Sequence, residues 1–473
     1  MLTNDLNADN LIARLDRLPV TKTIIRALVL LQLAWIIEGL DIGVSGPVLL
    51  NLKEVWNLSP AALGLLGSVG TLGIVIGLIP AGYLADRYGR KPVAVWGLLQ
   101  FTLFTGLTAL APSYGWFVVL RFLNGLGQGV LFAVPYIMIS EFMRPSHRAT
   151  IVGFENGFLA MAYLIPALVG AWATSHFPHE WSWRVTLLVA AAPIVYVPVI
   201  AAWLPESPRW LMRNGKLQQA ARFVETLEDE AGLYHDRSLA TGRSTDMAGN
   251  TKFRIADFFS RPILLRSLIA YSSYTGGTIL WYGILTYGPI IFRSAGFTAV
   301  NAILMLGFMM FFGGLGNFLN GYLADKLGRK PTLGLYAYAA SAALVGMAFF
   351  HTPTMVLLIG ACAAFFGLGI FPTQKIYIAE QYPTALRGFG TSTGEAVSRF
   401  FSGVVAAYYV PSILAAGGTT AVFLCIAGAL AVLVLPALIF GRETARIDID
   451  IVGDVKAENV RDDTMSLEIH KTI

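Results

Sequence analysis

Six stretches of this chain contain no Asp, Glu, Lys or Arg: residues 55–85, 92–120, 267–292, 294–324, 332–374 and 401–441. About 20 consecutive apolar residues cross the hydrocarbon core of a bilayer as a helix. With no water there to satisfy backbone polar groups, a helix or a closed barrel is the only spanning solution. The runs predict spanning helices, and several hold two around a Gly- or Pro-rich turn. Helices are expected near 24–50, 60–85, 92–111, 116–140, 149–174 and 184–204. A second set is expected near 263–292, 299–324, 332–350, 354–379, 389–416 and 419–440. Composition agrees: hydrophobic residues make up 55% of 473 positions and charged residues 13%, too few charges to dress a soluble surface of this size.

The chain also repeats itself. GYLADRYGRKP at 82–92 returns as GYLADKLGRKP at 321–331, identical at nine of eleven positions with an offset of 239. The same offset maps Glu141 onto Glu380 and Arg148 onto Arg387. The expected fold is therefore an all-α polytopic membrane protein, with twelve transmembrane helices in two pseudo-symmetric six-helix bundles at 24–204 and 263–440. The remaining segments are an N-terminal tail (1–23), a charged, helix-compatible central loop (205–262) and a C-terminal tail (441–473). Parallel repeats of this kind suit carriers that bind substrate between their halves near the midplane.

Basic residues in short loops set orientation. Arg87, Arg90, Lys91, Arg144, Arg148, Lys326, Arg329, Lys330 and Arg387 fall on one side, and Lys53, Arg184 and Arg293 on the other. Both termini and the central loop are thus expected in the cytoplasm of a cell whose inner or plasma membrane holds the protein. The polar N-terminus does not read as a cleaved signal. The two cysteines, Cys362 and Cys425, lie in apolar runs without disulfide or metal-ligand spacing. No motif for an enzyme, a cofactor, a metal or nucleic acid is present. The expected partners are a small-molecule substrate, protons and lipid, with the chain acting as a monomer.

The twin G-x-L-A-D-(R/K)-x-G-R-K loops resemble the signature of the major facilitator superfamily. RFLNGLGQG (121–129), PESPRWL (205–211) and GRET (441–444) resemble its sugar-porter and metabolite–proton symporter branch, over residues 24–445. The resemblance implies that the loops form a gating latch: Gly82 and Gly321 letting helices approach, Asp86 and Asp325 beside Arg90 and Arg329. Glu141, Arg148, Glu206, Arg209, Glu380 and Arg387 would pair between helices in one state and part in another.

Charges inside the membrane are costly unless paired or hydrated. Glu38 and Asp41 lie three residues apart on one face of the first helix. Asp41 lies roughly 25 Å from the helix start at about 1.5 Å per residue, a depth similar to that of Arg121 on the fourth helix. In proton-coupled sugar porters such an Asp and Arg form the coupling pair, so the resemblance assigns proton coupling to Asp41 and Arg121, with Glu38 as a further candidate. A second cluster comprises Glu155, Asn156, Lys375, Glu395, Ser398 and Arg399, with Trp281 and Tyr282 on the seventh helix. Glu395 and Arg399, four apart, can pair along one helix face.

By the resemblance, Asn156 stands where a sugar porter has a Gln, Lys375 where it has a Trp, and Ser398 and Arg399 where it has Gln and Trp. The seventh helix also lacks the paired Gln of a hexose carrier. Two cations in this position favour a small organic anion moved by alternating access coupled to protons. The alternatives are sugar or polyol symport, and cation or drug efflux using Glu38, Glu155 and Glu395 as binding acids.

Overall fold

The computed structural model describes residues 8–142, 156–233, 258–350, 352–382 and 384–444. Every regular element among them is helical. The chain divides into two compact units. The first comprises residues 1–155 and 162–251; the second comprises Asn156–Met161 and 252–473.

In the first unit a short helix, α1 (Ala8–Arg17), precedes α2 (Lys22–Gly43), α3 (Ser45–Val55), α4 (Pro60–Tyr88), α5 (Arg90–Ala109) and α6 (Tyr114–Phe142). Then come α7 (Leu164–His176), α8 (His179–Ala191), a 3-10 turn (Ala192–Tyr196), α9 (Val197–Trp203), α10 (Pro208–Arg213) and α11 (Leu217–Ala231). The second unit contains α12 (Arg261–Ser294), α13 (Ala299–Leu327), α14 (Arg329–Phe349), α15 (Pro353–Gly367) and α16 (Phe371–Glu380). It ends with α17 (Thr384–Arg399), a π-helical turn (Phe400–Ala406) and α18 (Ala407–Ile439).

Ten stretches of the described residues are long and apolar enough to cross a membrane. One of them, Leu386–Ile439, has 54 residues, about 80 Å as a helix, and must cross twice. It breaks at Gly418, where φ is +67° and ψ −167°. The 34-residue α12, polar with Ser, Thr and Tyr, supplies one more crossing, for twelve in all. The protein is a multi-pass membrane protein with the expected number of spans.

Glycine sets how closely the spans approach. α4 packs along α6, and a Cβ built on Gly73, Gly77, Gly125 or Gly129 would collide with the backbone of Phe122, Leu126, Gly70 or Ile74 respectively. Small residues at these crossings bring backbones into contact where lipid gives no hydrophobic drive. In the second unit a Cβ on Gly316 would collide with the Phe365 carbonyl, and one on Gly369 with the backbone of Gly316.

The segments outside the spans carry more structure than their polarity suggests. Leu11, Leu15 and Leu18 are buried, and α1 packs against α11. Arg14 donates from Nε and Nη2 to Glu228 of α11 at 2.8 and 2.6 Å. Glu230 accepts from the Thr23 N–H (2.9 Å) and hydroxyl (2.6 Å) at the start of α2, a carboxylate where the helix dipole favours negative charge. Burial acts to raise the Glu230 carboxyl, but these bonds, Thr21 and the charge of Arg26 outweigh it and hold it below the usual range.

Candidate functional site

Asp41 lies near the end of α2, just before the break at Val44 that separates it from α3. Its side chain is fully buried. Arg121 of α6 reaches both carboxylate oxygens from Nη1, at 3.2 and 3.1 Å. Its Nη2 donates to the Asp41 carbonyl at 3.1 Å and to Ser45 Oγ at 2.7 Å. Thr105 of α5 donates its hydroxyl to Asp41 Oδ1 at 2.5 Å, and Gln128 Nε2 donates to Oδ2. Asn124 accepts from Arg121 at 3.4 Å and donates to Thr105 Oγ1 at 2.8 Å and to the Phe101 carbonyl at 3.0 Å. A carboxylate so thoroughly bonded sits in low dielectric without an unmet acceptor. Glu38, one turn earlier on α2, is also buried.

Sequence reading brought out Asp41 and Arg121 but missed Thr105, Asn124, Gln128 and Ser45. Part of the signal was present: 121, 124 and 128 recur at helical spacing, so their side chains share one face. Thr105 gives no such sign, because a threonine in a span usually bonds to its own helix.

The second cluster forms within the second unit. Arg399 ends α17 and donates from Nε to Glu395 at 2.9 Å and from Nη1 to the Tyr282 hydroxyl of α12 at 2.9 Å. Lys375 of α16 donates to Asn156 Oδ1 at 2.9 Å, and its charge also acts on Glu395. Ser398 is buried and accepts from the Thr275 hydroxyl at 3.2 Å. Trp281 meets Tyr282 edge-on with ring centroids 4.6 Å apart. All of these residues except Glu155, which lies outside the described residues, fall in one unit. The π-helical turn begins immediately after Arg399, the kind of helix irregularity that often accompanies functional positions; nothing in the sequence announced it.

The duplicated loops fold alike. Arg90 is buried and pairs with Asp86 at 2.8 Å and Glu141 at 2.9 Å. Arg329 pairs with Asp325 at 2.7 Å and Glu380 at 3.1 Å. Glu206 accepts from the Arg90 N–H at 3.0 Å and the Lys91 N–H at 3.3 Å. Glu443 accepts from the Arg329 N–H at 2.7 Å and the Lys330 N–H at 2.9 Å. Each unit thus closes its loop with the carboxylate of a Glu-(Ser/Thr) pair, 206–207 and 443–444, and Thr444 bonds to Glu380. Burial raises the Glu206 carboxyl above the usual range, against the N–H donors of Ser207, Lys91 and Arg90 and the Arg90 charge. Arg209 donates to the Glu141 carbonyl at 3.3 Å, and Trp210 Nε1 to the Asp86 carbonyl at 2.8 Å. Arg387 lies in the first turn of α17; Arg148 is outside the described residues.

One expectation for these loops is corrected. Gly82 and Gly321 do not mediate close packing: a Cβ at either would meet nothing within 4 Å. The demanding glycines are Gly89 and Gly328, at φ +107° and +106°, where a Cβ would press on the Glu206 and Glu443 carboxylates. The helix break, not a helix crossing, requires glycine here. The GRET motif marks Glu443 and Thr444 in the sequence, but the loop they close, that of Arg329, lies more than 100 residues earlier in the chain.

The family model of the Major Facilitator Superfamily matches residues 33–407 and again 309–450. The niacin transporter NiaP of Acinetobacter baylyi (strain ATCC 33305 / BD413 / ADP1) is 29% identical over 94% of this chain and 100% of its own length. A putative niacin/nicotinamide transporter NiaP of Bacillus subtilis (strain 168) is 28% identical over 88% of this chain and 96% of its own. A crystal structure of a D-xylose-proton symporter superposes with a TM-score of 0.69 at 19% identity, covering 89% of this chain and 99% of that one.

Proposed function

This chain belongs to the Major Facilitator Superfamily, and from that premise we propose that it is a proton-coupled symporter for a small aromatic carboxylate. The observation that carries the reading is the pair of cations, Arg399 and Lys375, beside Glu395 in the membrane-embedded part of one unit. Charges at that depth pair with one another or face a cavity, and they mark the paths of substrates and ions. Arg399 offers a planar fork suited to a carboxylate, and Lys375 a compact point charge. Trp281 and Tyr282 supply aromatic surface for a flat ring, while Asn156 and Ser398 add polar groups. Niacin, the substrate in the name of the Acinetobacter relative, is such a molecule, a pyridine ring bearing a carboxylate.

Coupling falls to Asp41 and Arg121, with Glu38 adjacent. Protonating Asp41 removes the charge that Arg121 faces, and a carboxylate whose partner comes and goes is what coupling requires. The titles of the solved neighbours that are proton symporters fit this role. The loop pairs, Asp86–Arg90–Glu141 with Glu206 and Arg209, and Asp325–Arg329–Glu380, act as gating latches together with Arg148 and Arg387. Both termini face the cytoplasm, and the chain works as a monomer.

Binding to the folded carrier raises its apparent stability by RT ln(1 + [L]/Kd). Nicotinate should therefore raise the Tm of the purified protein, and xylose should not. Nicotinamide, nearly the same shape without the charge, should act weakly. Arg399→Lys should weaken nicotinate about tenfold or more while leaving the nicotinamide response unchanged, because charge remains but the fork is lost. A wild-type protein that responds to xylose or to amines and to no carboxylate overturns the organic-anion reading.

A further inference from the structure

Around Asp41 the hydrogen-bond protons do not add up in the ionised state. Thr105 Oγ1 has three neighbours: Asp41 Oδ1 at 2.5 Å, the Phe101 carbonyl at 2.8 Å, and Asn124 Nδ2 at 2.8 Å. Asn124 must be the donor in its contact. Its Oδ1 faces the Arg121 guanidinium, which carries only donors, so its amide protons point to the Phe101 carbonyl and to Thr105. The Thr105 hydroxyl then has one proton and two acceptors, the Asp41 carboxylate and the Phe101 carbonyl. Thr105 is fully buried.

We propose that Thr105 is a positioning residue for the proton cycle, a hydroxyl with two settings that serves both protonation states of Asp41. The inference rests on Asp41 being the proton carrier. With Asp41 ionised, the Thr105 O–H donates to Oδ1, beside Arg121 and Gln128. When a proton from solvent binds Asp41, the new carboxyl O–H donates to Thr105 Oγ1. The Thr105 O–H then turns about its C–O bond to the Phe101 carbonyl of its own helix. No bond of Thr105 breaks, and only the direction of its hydrogen bond reverses.

The groups facing Asp41 are Arg121, Asn124 and Gln128 from α6, Thr105 from α5, and Ser45 beyond the helix break through Arg121. Of these only Asp41 can take up or release a proton, because Arg121 stays charged. Arg121 keeps the Asp41 carbonyl, Ser45 and Asn124 as acceptors once the carboxylate is neutral. Protonation therefore loosens one arm of the arginine without orphaning it, and α5 registers the event through Thr105.

Difference infrared spectroscopy on reconstituted protein, labelled at phenylalanine carbonyls and taken between acid and alkaline buffer, tests this without any substrate. The carboxyl band absent from Asp41→Asn belongs to Asp41. In wild type, a labelled carbonyl band should move to lower frequency in step with it, as Phe101 gains the threonine proton. Thr105→Ser should keep that linked shift, and Thr105→Val and Asp41→Asn should lose it. If Thr105→Val does not fold, Thr105→Ala removes the same hydroxyl from a smaller side chain and is read identically. A linked band that persists in the hydroxyl-free variants, or a wild type with no labelled band moving with Asp41, overturns the proposal. Failure of the symport reading is separate: it appears as uptake indifferent to a pH gradient, whatever the spectra show.

Discussion

At the scale of single residues, the membrane interior makes each charge conspicuous and each neutral partner quiet. Asp41 and Arg121 could be read from the sequence because an ionised group in lipid must have a reason to be there. Thr105, Asn124 and Gln128 could not be paired with them, because which threonine or amide faces a carboxylate depends on how helices rotate against one another. The coupling role nonetheless has a residue-level consequence. Asp41→Asn leaves Arg121 bonded to the Asp41 carbonyl, Ser45 and Asn124, so the site should fold and bind. What is lost is the group proposed to take and release a proton. In proteoliposomes, Asp41→Asn should still exchange nicotinate across the membrane but should no longer accumulate it under an inward proton gradient. Persistent accumulation with this variant would move the coupling role to Glu38.

At the scale of elements, the informative features are where helices stop. The motif around Arg90 and Arg329 was legible as a pair of loops, but the positions that need glycine were misjudged. Repetition in sequence shows which residues matter, while the backbone angle that makes them matter appears only in the fold. Gly89 and Gly328 each end one span and begin the next at positive φ, and each lies against the glutamate that caps the following helix. A residue with a Cβ costs about 1–3 kcal/mol in that essentially glycine-only conformation and also displaces the carboxylate from two backbone N–H groups. Gly89→Ala and Gly328→Ala should therefore each lower thermal stability. Gly82→Ala and Gly321→Ala, whose added carbon meets open space, should leave it unchanged. Unfolding of the four variants in detergent, followed by tryptophan fluorescence, separates the pairs, and equal losses at all four positions would contradict the argument.

At the scale of the whole molecule, contacts at one end of the first unit bear on the proposed orientation. The first unit ties several elements to one end of its bundle. Trp210 of α10 donates to the Asp86 carbonyl at the α4–α5 loop, Glu206 caps α5, and α1 lies on α11 through Arg14 and Glu228. The N-terminal helix, the central helices and the Gly89 loop must therefore share one side of the membrane. That side holds Arg87, Arg90 and Lys91, so the proposed orientation, with its excess of basic loops inside, puts it in the cytoplasm. The turn between α5 and α6, one span away from the Gly89 loop, must open on the other side; Ser113 lies there and is exposed, as Gln218 is at the start of α11. In a version with Cys362 and Cys425 replaced by serine, Ser113→Cys should react with a membrane-impermeant maleimide on intact cells. Gln218→Cys should react only once the membrane is opened. Because the contacts fix the two positions on opposite sides whichever way the bundle is inserted, the reverse pattern would invert the orientation and leave the fold intact. Labelling of both cysteines on intact cells would instead break the contact argument itself, since α10 and α11 could not then lie with the Gly89 loop.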